Sequence, residues 1–120
     1  MKILICDSLN EKVSKELKTI GECVDISSSH KKDEELDTEI EDTEIVVIRS
    51  GTQLDKAAID KGKSLKIIAR CGVGVDNIDV DYAKSQNISV TNSPSANLIS
   101  VVELTVSLII SAARKVNLSD

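Results

Sequence analysis

Short apolar runs alternate with polar, helix-like stretches along most of the chain. The runs of strand length lie at 2–6, 22–27, 44–50, 66–70 and 88–92. Several are apolar at nearly every position, as in VVI at 46–48, which is typical of strands buried on both faces of a sheet. Because helix-like stretches separate these runs, the pattern predicts an open, doubly wound α/β sheet of about five parallel strands.

The polar stretches predict helices at 8–20, 30–42, 53–65 and 79–86. The first is amphipathic, and Ser8 or Asn10 is expected at its N-cap. The stretch 30–42 is charged almost throughout, so we expect a solvated edge helix rather than an acidic interaction patch. The third helix is expected to end at Gly62.

The segment 99–115 does not follow this alternation. Its apolar residues run nearly all the way round a helix, and such a helix must be buried. Glu103 and several hydroxyl residues interrupt it, so it falls short of the roughly 18 consecutive apolar residues that would favour a membrane span. A sheet already covered by helices has no place for it. We therefore expect it to dock on a second copy of the chain or on a further domain.

Composition narrows the function classes. The 120 residues include a single aromatic side chain, Tyr82, and carry a net charge of −5, which disfavours nucleic-acid binding. Cys6, Cys23 and Cys71 are scattered and include no CxxC pair, which favours a reduced cytoplasmic protein over a disulfide framework or a metal site. His30, the only histidine, lies in the charged stretch and is expected at the surface.

The stretch ARCGVGVDNID at 69–79 contains a Gly-x-Gly after an apolar run. A dinucleotide fingerprint needs a third small residue where this chain has Asn77, and Asp76 and Asp79 would repel a pyrophosphate. We therefore interpret the turn differently. Gly72 and Gly74 are expected to allow positive φ and to present backbone N–H groups to a smaller anion.

Two arginines end neighbouring predicted strands. Arg49 is followed by Ser50 and Thr52, and Arg70 enters the glycine turn. Ligands of open α/β sheets bind beyond the carboxyl ends of the strands, so two arginines and two hydroxyls there describe a small polyanion site. The alternative is that each arginine is a solubilising surface residue or the partner of a nearby carboxylate. Cys71, in the same turn, is expected to be a packing residue rather than a reactive thiol.

These segments resemble the D-isomer-specific 2-hydroxyacid dehydrogenases. The resemblance is carried by VVIRSGTQLD, LKIIARCGVGVDNIDVDYAKSQNISVTNSP and NLISVVELTVSLIISAAR, and it is strongest to the branch that oxidises 3-phosphoglycerate. It implies a flavodoxin-like substrate-binding domain at 1–98. It also implies that 99–120 are the hinge exit and first helix of an NAD-binding Rossmann domain, and that helix 99–115 forms a homodimer interface.

The resemblance also implies site residues. Those that would bind substrate are Arg49, Ser50, Arg70, Val73, Gly74 and Asn97. The two arginines would hold the phosphate of a small phosphorylated hydroxyacid, and the backbone at Val73 and Gly74 would receive its carboxylate. Val73 would also touch the nicotinamide end of NAD. The family's catalytic arginine, histidine and glutamate, and its glycine fingerprint for NAD, belong after residue 120. We therefore expect an N-terminal fragment with no catalytic residue of its own.

Other functions stay open on the sequence. One is a dehydrogenase of the same family acting on glycerate, glyoxylate or lactate. Another is a receiver-like signalling module, which has the same length and strand number but needs clustered carboxylates for Mg²⁺ where this chain offers a single Asp7 after the first strand. A third is a non-catalytic anion-binding or dimerisation protein.

Overall fold

The computed structural model describes residues 1–9, 11–72 and 74–92. Some predictions concern positions outside these ranges: a cap at Asn10, the roles of Val73 and Asn97, the boundary after residue 98 and the helix at 99–115. These stay predictions.

The strands form one parallel sheet in the order β2-β1-β3-β4-β5. Their bounds are β1 Lys2–Ile5, β2 Glu22–Asp25, β3 Ile45–Ile48, β4 Ile67–Arg70 and β5 Ser89–Asn92. The predicted five-stranded parallel α/β sheet is confirmed, and this strand order is that of the flavodoxin-like doubly wound folds.

The helices are shorter than the sequence pattern predicts. They are α1 Glu11–Ile20, α2 Lys32–Glu39, α3 Lys56–Lys61 and α4 Val80–Ser85, and a 3₁₀ turn, Ile40–Asp42, continues α2. The start of α1 is three residues later than the predicted position 8. Helix α3 begins late because the Asp55 carboxylate accepts from the Ala58 N–H at 2.9 Å and caps it. Gly62 ends α3 as predicted.

Alternation along the strands divides the core into two layers. On one face, Ile3 and Ile5 of β1 pack with Val13 and Leu17 of α1. On the other face, the alternate strand residues pack against the remaining helices; they include Leu4, Val46, Ile48 and Ile68 on the strands and Leu36, Ile59 and Ala83 on the helices. Both faces of the central strands are therefore dry, which explains why those strands are continuously apolar.

The strand order reverses beside β1. The chain runs from β1 outward to β2, returns past β1 to β3, and then continues to β5. Helix α1 packs on one face of the sheet and α3 on the other, so the loops that leave β1 and β3 diverge. Such a switch point opens a crevice at the carboxyl edge of the sheet, where ligands of this architecture bind.

Within the described residues, none of the helices is long and apolar enough to span a membrane.

The interior strand β4 gives a test of this core. Ile68 is fully buried between β3, β5 and the helical layer. Truncation to Ala leaves a cavity, so Ile68→Ala is expected to lower the free energy of unfolding by about 2–5 kcal/mol in urea denaturation. Ser89→Ala, on the exposed side of edge strand β5, serves as the control and is expected to change stability by less than about 0.5 kcal/mol. Equal stability of the two variants would contradict this core.

Candidate functional site

The carboxyl edge brings Arg49 and Arg70 together from neighbouring strands. Ile48 of β3 is the register partner of Arg70 in β4, and the Cys71 N–H donates to the Ile48 carbonyl at 2.9 Å. Arg49 therefore follows β3 at the level of Cys71, one residue beyond Arg70. Two cationic side chains leave adjacent strands at the same edge.

A buried carboxylate, that of Asp7, joins the end of β1 to the loop after β3. The residue is only 7% exposed, and its carboxylate accepts from the Arg49 N–H at 2.6 Å and from the Thr52 hydroxyl at 2.9 Å. The Lys32 ammonium, in the first turn of α2, donates to the same carboxylate as an ion pair. A Cβ at Gly51 would lie 2.8 Å from the Asp7 Oδ1, so this loop approaches the carboxylate too closely for any other residue.

The pKa of Asp7 reflects this environment. Burial alone would raise it, because desolvation disfavours the charged form. The hydrogen bonds from Lys32, from the Arg49 N–H and from Thr52 outweigh burial and hold the pKa below its usual value. Asp7 is therefore a charged structural residue at neutral pH.

A single side-chain amide, that of Asn77, joins the loop after β3 to the loop after β4. Its Oδ1 accepts from the Arg70 Nε–H at 2.9 Å. Its Nδ2 donates to the Arg49 carbonyl at 2.7 Å and to the Thr52 carbonyl at 2.5 Å. Because Arg Nε–H only donates and a carbonyl only accepts, these partners fix which end of the amide carries the oxygen.

Neither arginine is paired with a carboxylate among the described residues. Arg49 is exposed and donates from Nη1 to the Ser8 carbonyl at 3.2 Å, and Arg70 is half-buried with its Nε on Asn77. Both guanidinium groups lower the pKa of the Cys71 thiol, which shows that both lie near it, although burial is stronger and leaves that pKa raised. Among the described residues, neither arginine therefore has the carboxylate partner that the alternative requires.

The structure corrects two expectations for this edge. Thr52 is 4% exposed and its hydroxyl donates to Asp7, so it is a structural group and not a second ligand hydroxyl. No glycine among the described residues has positive φ. Gly72 has another role: it leaves room for the Arg70 side chain, since a Cβ there would lie 2.6 Å from the Arg70 Nη1. Gly74 is exposed, and a Cβ there would lie 3.9 Å from the Asp76 Oδ2, an ordinary contact distance.

A cleft of about 380 Å³ borders this edge on the α2 side. The residues that line it are Lys32, Asp33, Leu36, Ser50, Gly51, Thr52 and Gln53. Ser50, predicted as a substrate residue, is exposed at its wall, one residue after Arg49. Two predicted residues, Val73 and Asn97, lie outside the described residues.

Sequence reasoning missed the three polar residues that build the edge. On the sequence alone, Asp7 is a single acid after the first strand and Lys32 is part of a solvated charged stretch. Asn77 only occupies the position where a dinucleotide fingerprint needs a small residue. Their partners are distant in sequence: 25 positions from Asp7 to Lys32 and 28 from Asn77 to the Arg49 carbonyl. The one local signal was an isolated acid directly after a buried strand at the switch point.

Comparison with known proteins agrees with the fold and the residue pattern. The family model for the catalytic domain of D-isomer specific 2-hydroxyacid dehydrogenases matches residues 3–115. The D-3-phosphoglycerate dehydrogenase of Methanocaldococcus jannaschii is 45% identical over 116 residues, which are 97% of this chain and 22% of that protein. The hydroxypyruvate reductase of Thermotoga maritima is 42% identical over 93 residues, which are 78% of this chain and 30% of that protein.

A solved structure gives a similar result. The NAD⁺-bound 3-phosphoglycerate dehydrogenase of Entamoeba histolytica matches with a TM-score of 0.62 and 28% identity, over 78% of this chain and 33% of that chain. The chain thus spans only about a fifth to a third of the length of these proteins.

The Asp7 ion pair predicts a specific dependence of stability on pH. Asp7→Asn keeps the shape but removes the charge that Lys32 and the Arg49 N–H meet, so it is expected to cost about 1–3 kcal/mol at pH 7. Because the folded pKa lies below the unfolded value of roughly 3.9, the wild-type advantage is present above that value and is lost as the pH falls through the folded pKa. Urea unfolding between pH 7 and pH 2 measures this.

In that experiment the matched control is Asp76→Asn, which changes an exposed carboxylate at the same edge. The wild-type and Asp7→Asn stability curves should converge in acid, and the control curve should follow wild type. A constant gap at every pH would show that the Asp7 charge contributes nothing.

The raised pKa of Cys71 predicts low reactivity. Burial disfavours its thiolate, which is the nucleophilic form, so alkylation by iodoacetamide at pH 7.5 should be slower than that of an unstructured cysteine peptide. Mass spectrometry of the modified peptides, with Cys71→Ser as the control, measures the rate at this site. Faster labelling than the peptide would instead indicate an activated thiol between the two arginines.

Proposed function

The chain belongs to the D-isomer specific 2-hydroxyacid dehydrogenase family, and on that premise we propose that it is the substrate-binding part of an NAD-dependent D-3-phosphoglycerate dehydrogenase. Its role in the whole enzyme is to bind 3-phosphoglycerate and present its C2 hydroxyl for oxidation to 3-phosphohydroxypyruvate. The residues for hydride transfer and general acid/base chemistry belong to the parent protein beyond residue 120.

The observation that carries this proposal is the pair of arginines at the carboxyl edge. Arg49 and Arg70 leave adjacent strands, flank Cys71 and have no carboxylate partner among the described residues. Two guanidinium groups offer several N–H donors in planar forks, which suit the oxygens of a phosphate. Ser50 adds an exposed hydroxyl beside Arg49, and the exposed backbone at Gly74 leaves room for a carboxylate.

The described residues do not fit the pyrophosphate of NAD. In the glycine turn, the Asn77 amide is fully engaged with protein groups and the Asp79 carboxylate caps α4, so neither side chain is available to a pyrophosphate. We therefore assign NAD to the portion of the parent enzyme beyond this chain, with Val73 as the one contact from this side. This chain's own contribution is to bind and orient the hydroxyacid.

The substrate class follows from charge. 3-Phosphoglycerate carries a carboxylate and a phosphate, and the two unpaired arginines match the second anion. An unphosphorylated hydroxyacid is the competing substrate, favoured by the 42% identity to a hydroxypyruvate reductase. We further propose that the parent enzyme starts serine biosynthesis in the cytoplasm and dimerises through 99–115.

A receiver-like module is a poorer account of the same edge. Phosphoryl transfer there needs carboxylates gathered for Mg²⁺. The Asp7 carboxylate is instead occupied by Lys32, Thr52 and the Arg49 N–H. Within the described ranges, no three metal-ligating side chains come together.

The arginine assignment is tested by affinity. Arg49→Ala and Arg70→Ala are each expected to weaken 3-phosphoglycerate binding by roughly 2–3 kcal/mol, because each removes charge-assisted hydrogen bonds. Isothermal titration calorimetry of the 120-residue chain measures the dissociation constants, and amide chemical shifts locate the site. Lys63→Ala removes an exposed positive charge from the opposite edge of the sheet and should leave affinity unchanged.

Glycerate separates the two substrate classes in that experiment. Under the proposal, glycerate binds more weakly than 3-phosphoglycerate to wild type and is affected less by the arginine substitutions. Equal affinity for both ligands would assign the parent enzyme to an unphosphorylated hydroxyacid. Unchanged affinity in both arginine variants would remove the site.

A further inference from the structure

We propose that Asn77 is the positioning residue for Arg70: it fixes the plane of the guanidinium and aligns it with the loop that carries Arg49, so that the fork is presented to an oxyanion. The inference rests on the proposed function, since the oxyanion is the phosphate of the substrate. It assigns a role to a side chain that itself makes no contact with the ligand.

The geometry of the Arg70 side chain is the first argument. A guanidinium is planar, so a hydrogen bond at Nε sets the direction of both terminal nitrogens. In this structure the Nε–H donates to the Asn77 Oδ1 at 2.9 Å, while no described residue accepts from either terminal nitrogen. The guanidinium is thus fixed through its Nε–H, and its two terminal nitrogens stay available for bidentate binding of an anion.

Gly72 completes this arrangement from the other side. The Arg70 guanidinium lies over the turn, with Nη1 at 2.6 Å and Cζ at 3.4 Å from where a Cβ of residue 72 would be. The guanidinium therefore occupies the space that the missing side chain leaves. Asn77 and Gly72 together define one position for a side chain that would otherwise sample many rotamers.

The same amide also reaches the backbone of the residue that bears the second cation. Its Nδ2 donates to the backbone carbonyl of Arg49, the residue that bears the other guanidinium. Two like charges on adjacent strands repel each other when no anion is between them, so they separate unless they are held. Asn77 is neutral, so its bonds to the Arg70 side chain and to the Arg49 backbone position both residues without cancelling either charge.

A purely structural role does not explain these bonds. The two loops are already joined by backbone: the Leu54 N–H donates to the Asn77 carbonyl at 2.8 Å, and the Asp79 N–H donates to the Leu54 carbonyl at 2.9 Å. These bonds persist whatever side chain stands at position 77. What the side-chain amide adds is the orientation of Arg70 and two further links to the loop after β3, at the Arg49 and Thr52 carbonyls.

A double-mutant cycle tests the inference, with affinity for 3-phosphoglycerate as the readout. Asn77→Ala and Arg70→Lys should each weaken binding about tenfold, since a lysine keeps the charge but has neither Nε nor a fork. The double variant should be no weaker than the weaker single variant, because Asn77 then has no guanidinium to position. Additive losses, or full affinity in Asn77→Ala, would overturn the proposal.

A second variant separates positioning from folding. Gly72→Ala leaves the Asn77 bonds to the Arg49 and Thr52 carbonyls in place, and its new Cβ meets only the flexible end of Arg70 at short range. We expect unchanged urea unfolding together with a loss of affinity similar to that of Asn77→Ala. Normal affinity in a normally stable Gly72→Ala chain would show that the position of the guanidinium does not matter.

A readout without ligand keeps the inference distinct from the proposed function. In ¹⁵N spectra, the Nε–H signal of Arg70 is identified by its disappearance in Arg70→Lys. It should be sharp and slow to exchange in wild type and in Lys63→Ala, and broad or lost in Asn77→Ala. If wild type does not bind 3-phosphoglycerate, the proposed function fails, and the Arg70 Nε–H signal alone then tests the positioning role. Persistence of the signal in Asn77→Ala overturns that role, and loss of the signal supports it.

Discussion

The buried carboxylate of Asp7 is the interaction on which the carboxyl edge depends. A parallel sheet ends in loops whose backbone groups have lost their strand partners, and at a switch point those loops diverge. The Asp7 carboxylate provides a common hydrogen-bond acceptor for these segments. It accepts from the Arg49 N–H, the Thr52 hydroxyl and the Lys32 ammonium. Such a charge is stable when buried only because it is fully hydrogen-bonded. Its presence then dictates a glycine at position 51, where no Cβ fits.

The edge separates the polar groups that hold the loops from those left for a ligand. The side chains of Asp7, Thr52 and Asn77 form hydrogen bonds with protein groups, and the Lys32 ammonium forms an ion pair with Asp7. Arg49 and Arg70 touch only a carbonyl and a neutral amide, so their charge is not cancelled among the described residues. These two positive charges therefore lie one strand away from the switch point, between β3 and β4, although the switch point itself is the usual place for a ligand.

The sequence was sufficient for the fold and insufficient for the edge, for one physical reason. Strand positions follow from apolar runs, and the stop of α3 follows from Gly62, because both are set by local pattern and backbone preference. The roles of Thr52 and Asn77 depend on partners 45 and 28 residues away. No local pattern shows that a hydroxyl turns inward to a carboxylate. The sequence therefore predicts Thr52 as a ligand group, and it indicates only that Asn77 does not fit a dinucleotide fingerprint.

The glycine turn shows how one motif supports different chemistry. In a dinucleotide fingerprint, glycines let the backbone approach a pyrophosphate. Here Gly72 makes room for the guanidinium of the chain's own Arg70, and the residue where a third small side chain would stand is the amide that binds that guanidinium. The part of the turn at Gly72 and Asn77 thus supports a cation of the chain itself. Spacing of glycines alone does not distinguish these cases, because the role of Gly72 is set by the Arg70 side chain that lies over it and by the Asn77 amide that binds this side chain.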